Sequence, residues 1–161
     1  MPMPKTCPRP PKPLRMVRSK RQKAALAEAV WAAREMNRLY PYPASLIVAE
    51  WAVFSRWGAD QPGRNPFRLA REEPGDSEQQ PLVLEVFQDL SKAFLKHAVR
   101  QVRNPRFNLQ YFEYFDNQID VDELARRVFK SPQLVKKLIS IMHAPYVEAA
   151  FRAELASCPL A

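Results

Sequence analysis

The chain has 161 residues, room for one domain with a proper hydrophobic core. With 47% hydrophobic residues, only 3 glycines and little alternation of β-branched residues, it reads as a mainly helical protein. The formal charge is +8, and no run approaches the roughly 20 apolar residues that a membrane span needs.

That charge is unevenly placed. The first 23 positions hold eight basic residues and no acidic ones, whereas the remaining 17 basic residues balance 17 acidic ones. A segment rich in Pro, Lys and Arg cannot bury enough apolar surface to order itself, so residues 1–18 are expected to form a basic tail preceding a folded domain over 19–161. Arg15, Arg18, Lys20, Arg21 and Lys23 are the candidates for contact with a polyanion, whether nucleic acid, anionic lipid or an anionic wall polymer. A solubilising linker is the plainer reading of the same tail. Its charge is not followed by an apolar segment, so it does not read as a signal peptide. The expected location is the cytoplasm, or export by a non-classical, phage or secretion-apparatus route. Cys7 and Cys158 lie in the two terminal segments, a spacing that suits neither a disulfide framework nor a metal site. His97 and His143 fall on separate predicted helices with no acidic cluster beside them, and neither a metal nor another cofactor is expected.

In chain order, residues 19–40 predict an amphipathic helix with Leu26, Val30, Ala33 and Met36 or Asn37 on one stripe. Tyr40-Pro41-Tyr42-Pro43 stops it, because a residue before proline is pushed out of the helical region. A second helix over 43–57 is apolar on nearly every face, the pattern of a buried central helix, and Gly58 suits a left-handed cap. Residues 59–81 carry prolines, glycines and charges and predict an irregular lobe. Helix is expected to resume from Leu82 to Arg103, ended by Asn104-Pro105. The aromatic run 107–115 predicts a short core helix. Asp120 with Glu123, and Ser131 with Pro132, are cap signals for helices over 121–129 and 132–143, and a last helix covers 145–156.

Pro43, Ser45, Leu46, Ile47, Ala49, Ala52, Ser55, Trp57, Gly58, Asn65 and Phe67 together resemble the catalytic helix and following segment of the glucosaminidase-type peptidoglycan hydrolases, the family 73 glycoside hydrolases and their relatives. Asn104-Pro105-Arg106-Phe107 is similar to that family's later Asn-Pro-x-aromatic segment. Residues 122–125 and 131–139 are similar to its carboxy-terminal helices. The resemblance implies a lysozyme-like helical domain with a small irregular or β-containing lobe, and a cleft between them.

It also implies a general acid, which must be a carboxylic acid kept protonated by an apolar pocket. The position of that acid is taken by Phe54, and the family's assisting tyrosine falls on Val128. Glu50 is the only acidic residue of the apolar helix, one turn earlier and about 6 Å along its axis. It is the candidate substitute acid; paired with Arg34 or Arg126 it is instead a buried structural charge. Glu72, Glu73 and Glu78 supply lobe carboxylates that are more simply solvated. Phe54, Trp57, Asn65 and Phe67 are candidate sugar-contacting residues, with packing of the helix against the lobe as the alternative role.

Three functions follow as expectations. The first is a catalytically degenerate domain that binds peptidoglycan or related N-acetylhexosamine strands, or serves structurally in a cell-wall-associated assembly. The second is an active endo-β-N-acetylglucosaminidase-type hydrolase that uses a relocated carboxylate. The third is a nucleic-acid-binding protein acting through its basic tail while the helical body is incidental; against it, the body is charge-neutral and shows no basic recognition helix.

Overall fold

The computed structural model describes residues 20–71 and 83–157. Arg15, Arg18, Glu72, Glu73, Glu78 and both cysteines lie outside them. Among the described residues the fold is mainly α, with seven α-helices and no strand longer than an isolated bridge. No helix there is long and apolar enough to cross a membrane.

α1 (Lys20–Leu39) is built on alanine and buries Leu26, Ala29, Val30, Ala33 and Met36 along one stripe, leaving Asn37 exposed. After the Pro41 and Pro43 break, α2 (Ala44–Phe54) runs through the middle of the molecule with every residue from Leu46 to Ala52 buried. Full burial of Leu46, Ile47, Val48 and Trp51 stabilises the fold by about 1.5–3 kcal/mol each. α2 packs against α1 on one side and α6 on another.

α2 ends earlier than its sequence predicts. Arg56 takes the left-handed position at φ 49°, and Trp57 N–H donates to the Ala52 carbonyl at 2.9 Å. This is a Schellman closure with arginine where glycine is usual. Ser55 consolidates it: its hydroxyl donates to the Trp51 carbonyl at 2.6 Å and accepts from Gly58 N–H at 2.9 Å. Gly58 follows at φ 85°, a left-handed backbone that favours glycine, and a Cβ there would also crowd that of Ala25 on α1 at 3.0 Å.

The lobe follows. Residues 69–71 pair antiparallel with 83–85 through the bridge Ala70 to Leu84, with Arg71 N–H donating to Val83 O and Glu85 N–H to Leu69 O. The sequence predicts helix from Leu82; α3 (Leu90–Arg103) instead begins eight residues later. Val83, Leu84 and Glu85 pair with the extended residues 69–71, and Asp89 is the N-cap that accepts from Lys92 N–H. Leu69, Phe87 and Ala93, with Phe67 against them, form a small second core beneath the lobe.

α4 (Pro105–Phe115) buries only Phe107 and Tyr111, so the aromatic run is half core and half surface: Phe112 and Phe115 are exposed. α5 (Val121–Val128) and α6 (Pro132–Met142) start at the Asp120 and Ser131 caps, and α7 (Pro145–Ser157) packs back on α1.

Candidate functional site where α2 meets the lobe

Two residues of α2, one turn apart, have opposite environments. Glu50 is fully buried, whereas Phe54 is 44% exposed at the end of the helix. The carboxylate of Glu50 is taken up by three donors. Tyr42 OH donates to Oε1 at 2.5 Å; His97 Nε2–H donates to Oε2 at 2.6 Å and Gln101 Nε2–H at 3.3 Å. Burial first, and then the adjacent Glu50 carboxylate, push the Tyr42 phenol well above its ordinary value, so it remains the donor. Tyr42 is itself held by stacking on Phe107, ring centroids 5.8 Å apart.

This arrangement corrects the pairing expected for Glu50. Arg34 reaches Glu154 instead, at 3.6 Å, and Arg126 reaches Glu123 at 3.4 Å. Neither histidine lacks an acidic neighbour either, because His97 faces Glu50 and His143 lies 2.7 Å from Asp122. Among the described residues no three His, Cys, Asp or Glu side chains come together as a metal site. The pairing had a signal in the sequence: Leu90, Phe94, His97 and Gln101 share one helical stripe, which turns both polar residues towards the core.

Outside this network the site is aromatic. Phe67 of the lobe stacks on the His97 ring at 3.8 Å and 10° between planes, and Phe54 meets Phe67 edge-on at 6.3 Å. Phe67 thus covers the imidazole that holds Glu50, and Phe54 lies outermost. Trp57 turns away: its ring packs on Trp51 and Tyr146, part of the main core. Asn65 is fully buried. Its amide donates to the carbonyls of Leu69 and Glu85 and accepts from Leu69 N–H, so it clamps the two extended segments of the lobe. A side chain so engaged has no donor left for a sugar. Of the four proposed sugar contacts, the structure therefore brings Phe54 and Phe67 together and assigns Trp57 and Asn65 to packing. Lys20, Arg21 and Lys23 open α1, with Lys20 and Arg21 exposed.

As chemistry, the junction presents rings and no free carboxyl group from α2. Glu50 has no exposed surface and its oxygens already accept from three groups, so it is not placed to protonate a glycosidic oxygen. The class defined by this fold is a mainly α domain with a small bridged lobe. Compared with known proteins, the chain matches no family model, no curated protein and no solved structure.

Proposed function

We propose that the chain is a lysozyme-like, glucosaminidase-type domain that no longer hydrolyses glycan and instead binds N-acetylhexosamine strands such as peptidoglycan, or holds them within a cell-wall-associated assembly. The observation that carries this reading is the exposed ring of Phe54 at the position where the resemblance puts the general acid. Phe54 and Phe67 offer apolar faces that suit the C–H faces of pyranose rings. The one carboxylate of α2 supports the loss of hydrolysis, being committed to Tyr42, His97 and Gln101.

The test is co-sedimentation with purified cell-wall sacculi, with release of soluble muropeptides measured in the same tube. Wild type is expected to pellet with the sacculi and release nothing, and Phe54→Ala to lose most of the pelleting. Muropeptide release by wild type that Glu50→Gln abolishes would overturn the proposal in favour of the active hydrolase. Failure of wild type to pellet would overturn glycan binding itself. Release gained only by Phe54→Glu would support both the resemblance and the loss.

A further inference from the structure

The outer face of α4 has a use that does not depend on the glycan reading. The helix packs on α3 and α5 and buries only Phe107 and Tyr111. On its other side Leu109 is 70% exposed and Phe112 53%, with Phe115 at 55% along one edge. Leu109 and Phe112 are three positions apart and share one helical face, turned away from Phe107 and Tyr111. A continuous stripe of large apolar side chains on one exposed face marks an interaction surface. The rings are held ready for contact. Tyr111 touches both, with centroids 6.1 Å from Phe112 and 6.2 Å from Phe115, and its hydroxyl donates to the Pro41 carbonyl at 2.9 Å. Asn104 caps the helix by accepting from Arg106 N–H at 3.0 Å, and Asn108 ties it to α3 by donating to the Val102 carbonyl at 2.9 Å. A face fixed in this way loses little conformational freedom when a partner arrives.

The charges around the stripe select the partner. Arg106 is exposed at the start of α4 and Asp116 is exposed at its end, and among the described residues neither forms an ion pair. Leu109 and Phe112 lie symmetrically about the middle of the helix, and Arg106 and Asp116 about nearly the same point. Laid antiparallel on a second copy of itself, α4 therefore sets Leu109 on the partner's Phe112 and Arg106 beside the partner's Asp116, each contact made twice by symmetry. A parallel arrangement would oppose like charges at both ends. Glu113 is engaged by Arg127 of its own chain. The two acids on this face, Glu113 and Asp116, count against an anionic membrane as the occupant, although exposed rings alone would suit one. With about half of each side chain exposed, the three apolar residues offer roughly 300 Å² per copy, short of the ~800 Å² per partner of a stable dimer. The pairing is accordingly weak.

We propose that the chain forms a weak two-fold dimer in which α4 packs antiparallel on α4 of a second copy, through Leu109, Phe112 and the paired charges of Arg106 and Asp116. The experiment is sedimentation velocity of the full chain over a range of concentrations. Wild type is expected to dimerise with a dissociation constant on the order of 10–100 μM. Leu109→Glu with Phe112→Glu should weaken pairing by about tenfold or more, with little change in melting temperature because both side chains are exposed. Arg106→Glu and Asp116→Arg should each weaken pairing by setting like charges together. An equal mixture of those two variants should pair about as tightly as wild type, since each then meets the opposite charge. An acid at the start of α4 and a cation at its end both suit the helix dipole, so neither change threatens the helix. Recovery on mixing is also a result that misfolding could not produce. Wild type that stays monomeric up to about 1 mM would overturn the proposal. So would dimers that survive Leu109→Glu with Phe112→Glu, or charge variants that pair no better mixed than alone. Binding of phosphatidylglycerol vesicles through α4 by a chain that remains monomeric would assign the face to a membrane and overturn it as well. If wild type dimerises as described but fails to pellet with sacculi, only the glycan reading falls.

Discussion

Glu50 and Phe54 lie one turn apart on the same helix, yet one is sealed in the core and the other stands at the surface. The difference comes from what surrounds α2 at each level. Around Glu50, α3 supplies His97 and Gln101 and the preceding turn supplies Tyr42; beyond Phe54 the helix closes on Arg56, and the lobe residue Phe67 meets the Phe54 ring edge-on. Glu50 is thereby a pin that joins α2 to α3 and to the turn before α2.

The comparison breaks most sharply at His97. His97→Ala leaves the buried carboxylate without its ring partner and removes the surface on which Phe67 stacks, so a loss of about 3–5 kcal/mol is expected. Denaturant unfolding checks this; a loss below about 1 kcal/mol would mean that Glu50 is not held as described.

Tyr42→Phe removes the donor to Glu50 Oε1 and is expected to cost about 1–3 kcal/mol at neutral pH. It also changes the alkaline limb of stability. The folded phenol of Tyr42 is raised above its ordinary value, and burial likewise pushes Tyr111 up to about 12. Below about pH 10 both folded and unfolded phenols keep their protons, so this contribution is fully present. As the pH climbs higher the unfolded chain releases protons that the folded chain retains, and stability falls. Urea midpoints measured across that range should decline less steeply for Tyr42→Phe than for wild type.

At the other end of the helix, Phe54→Ala is expected to cost no more than about 1.5 kcal/mol, because the half-exposed ring has less burial to lose than a core phenylalanine. A loss as large as that of His97→Ala would make Phe54 a core residue and erase the contrast. The smallest effect is expected at Arg56. Glycine relieves the left-handed backbone at φ 49° but loosens the unfolded chain, so Arg56→Gly should raise stability by about 0.5 kcal/mol, visible as a small rise in melting temperature.

Features that depend only on near neighbours along the chain are legible in the sequence. The Pro41 and Pro43 break, the Asp120 and Ser131 caps and the burial of α2 all follow from local sterics, local hydrogen bonds and apolar periodicity. Where a distant partner competes with a local rule, the local rule fails. The segment after Leu82 has apolar residues at helical intervals, but pairing with residues 69–71 draws it into extended form. The closure of α2 falls at Arg56 and not at Gly58 because Ser55 and Trp57 bond back to the helix, leaving the glycine to make room for Ala25.

By itself, then, the sequence determined a mainly helical domain around an apolar central helix that carries a single acid, Glu50. Tertiary structure alone decided what Glu50 does. His97 is 47 positions away along the chain, and periodicity can turn a side chain inward without naming the group it meets there. It also decided that Asn65 clamps the lobe, because burial belongs to the packed assembly of helices and not to any one of them.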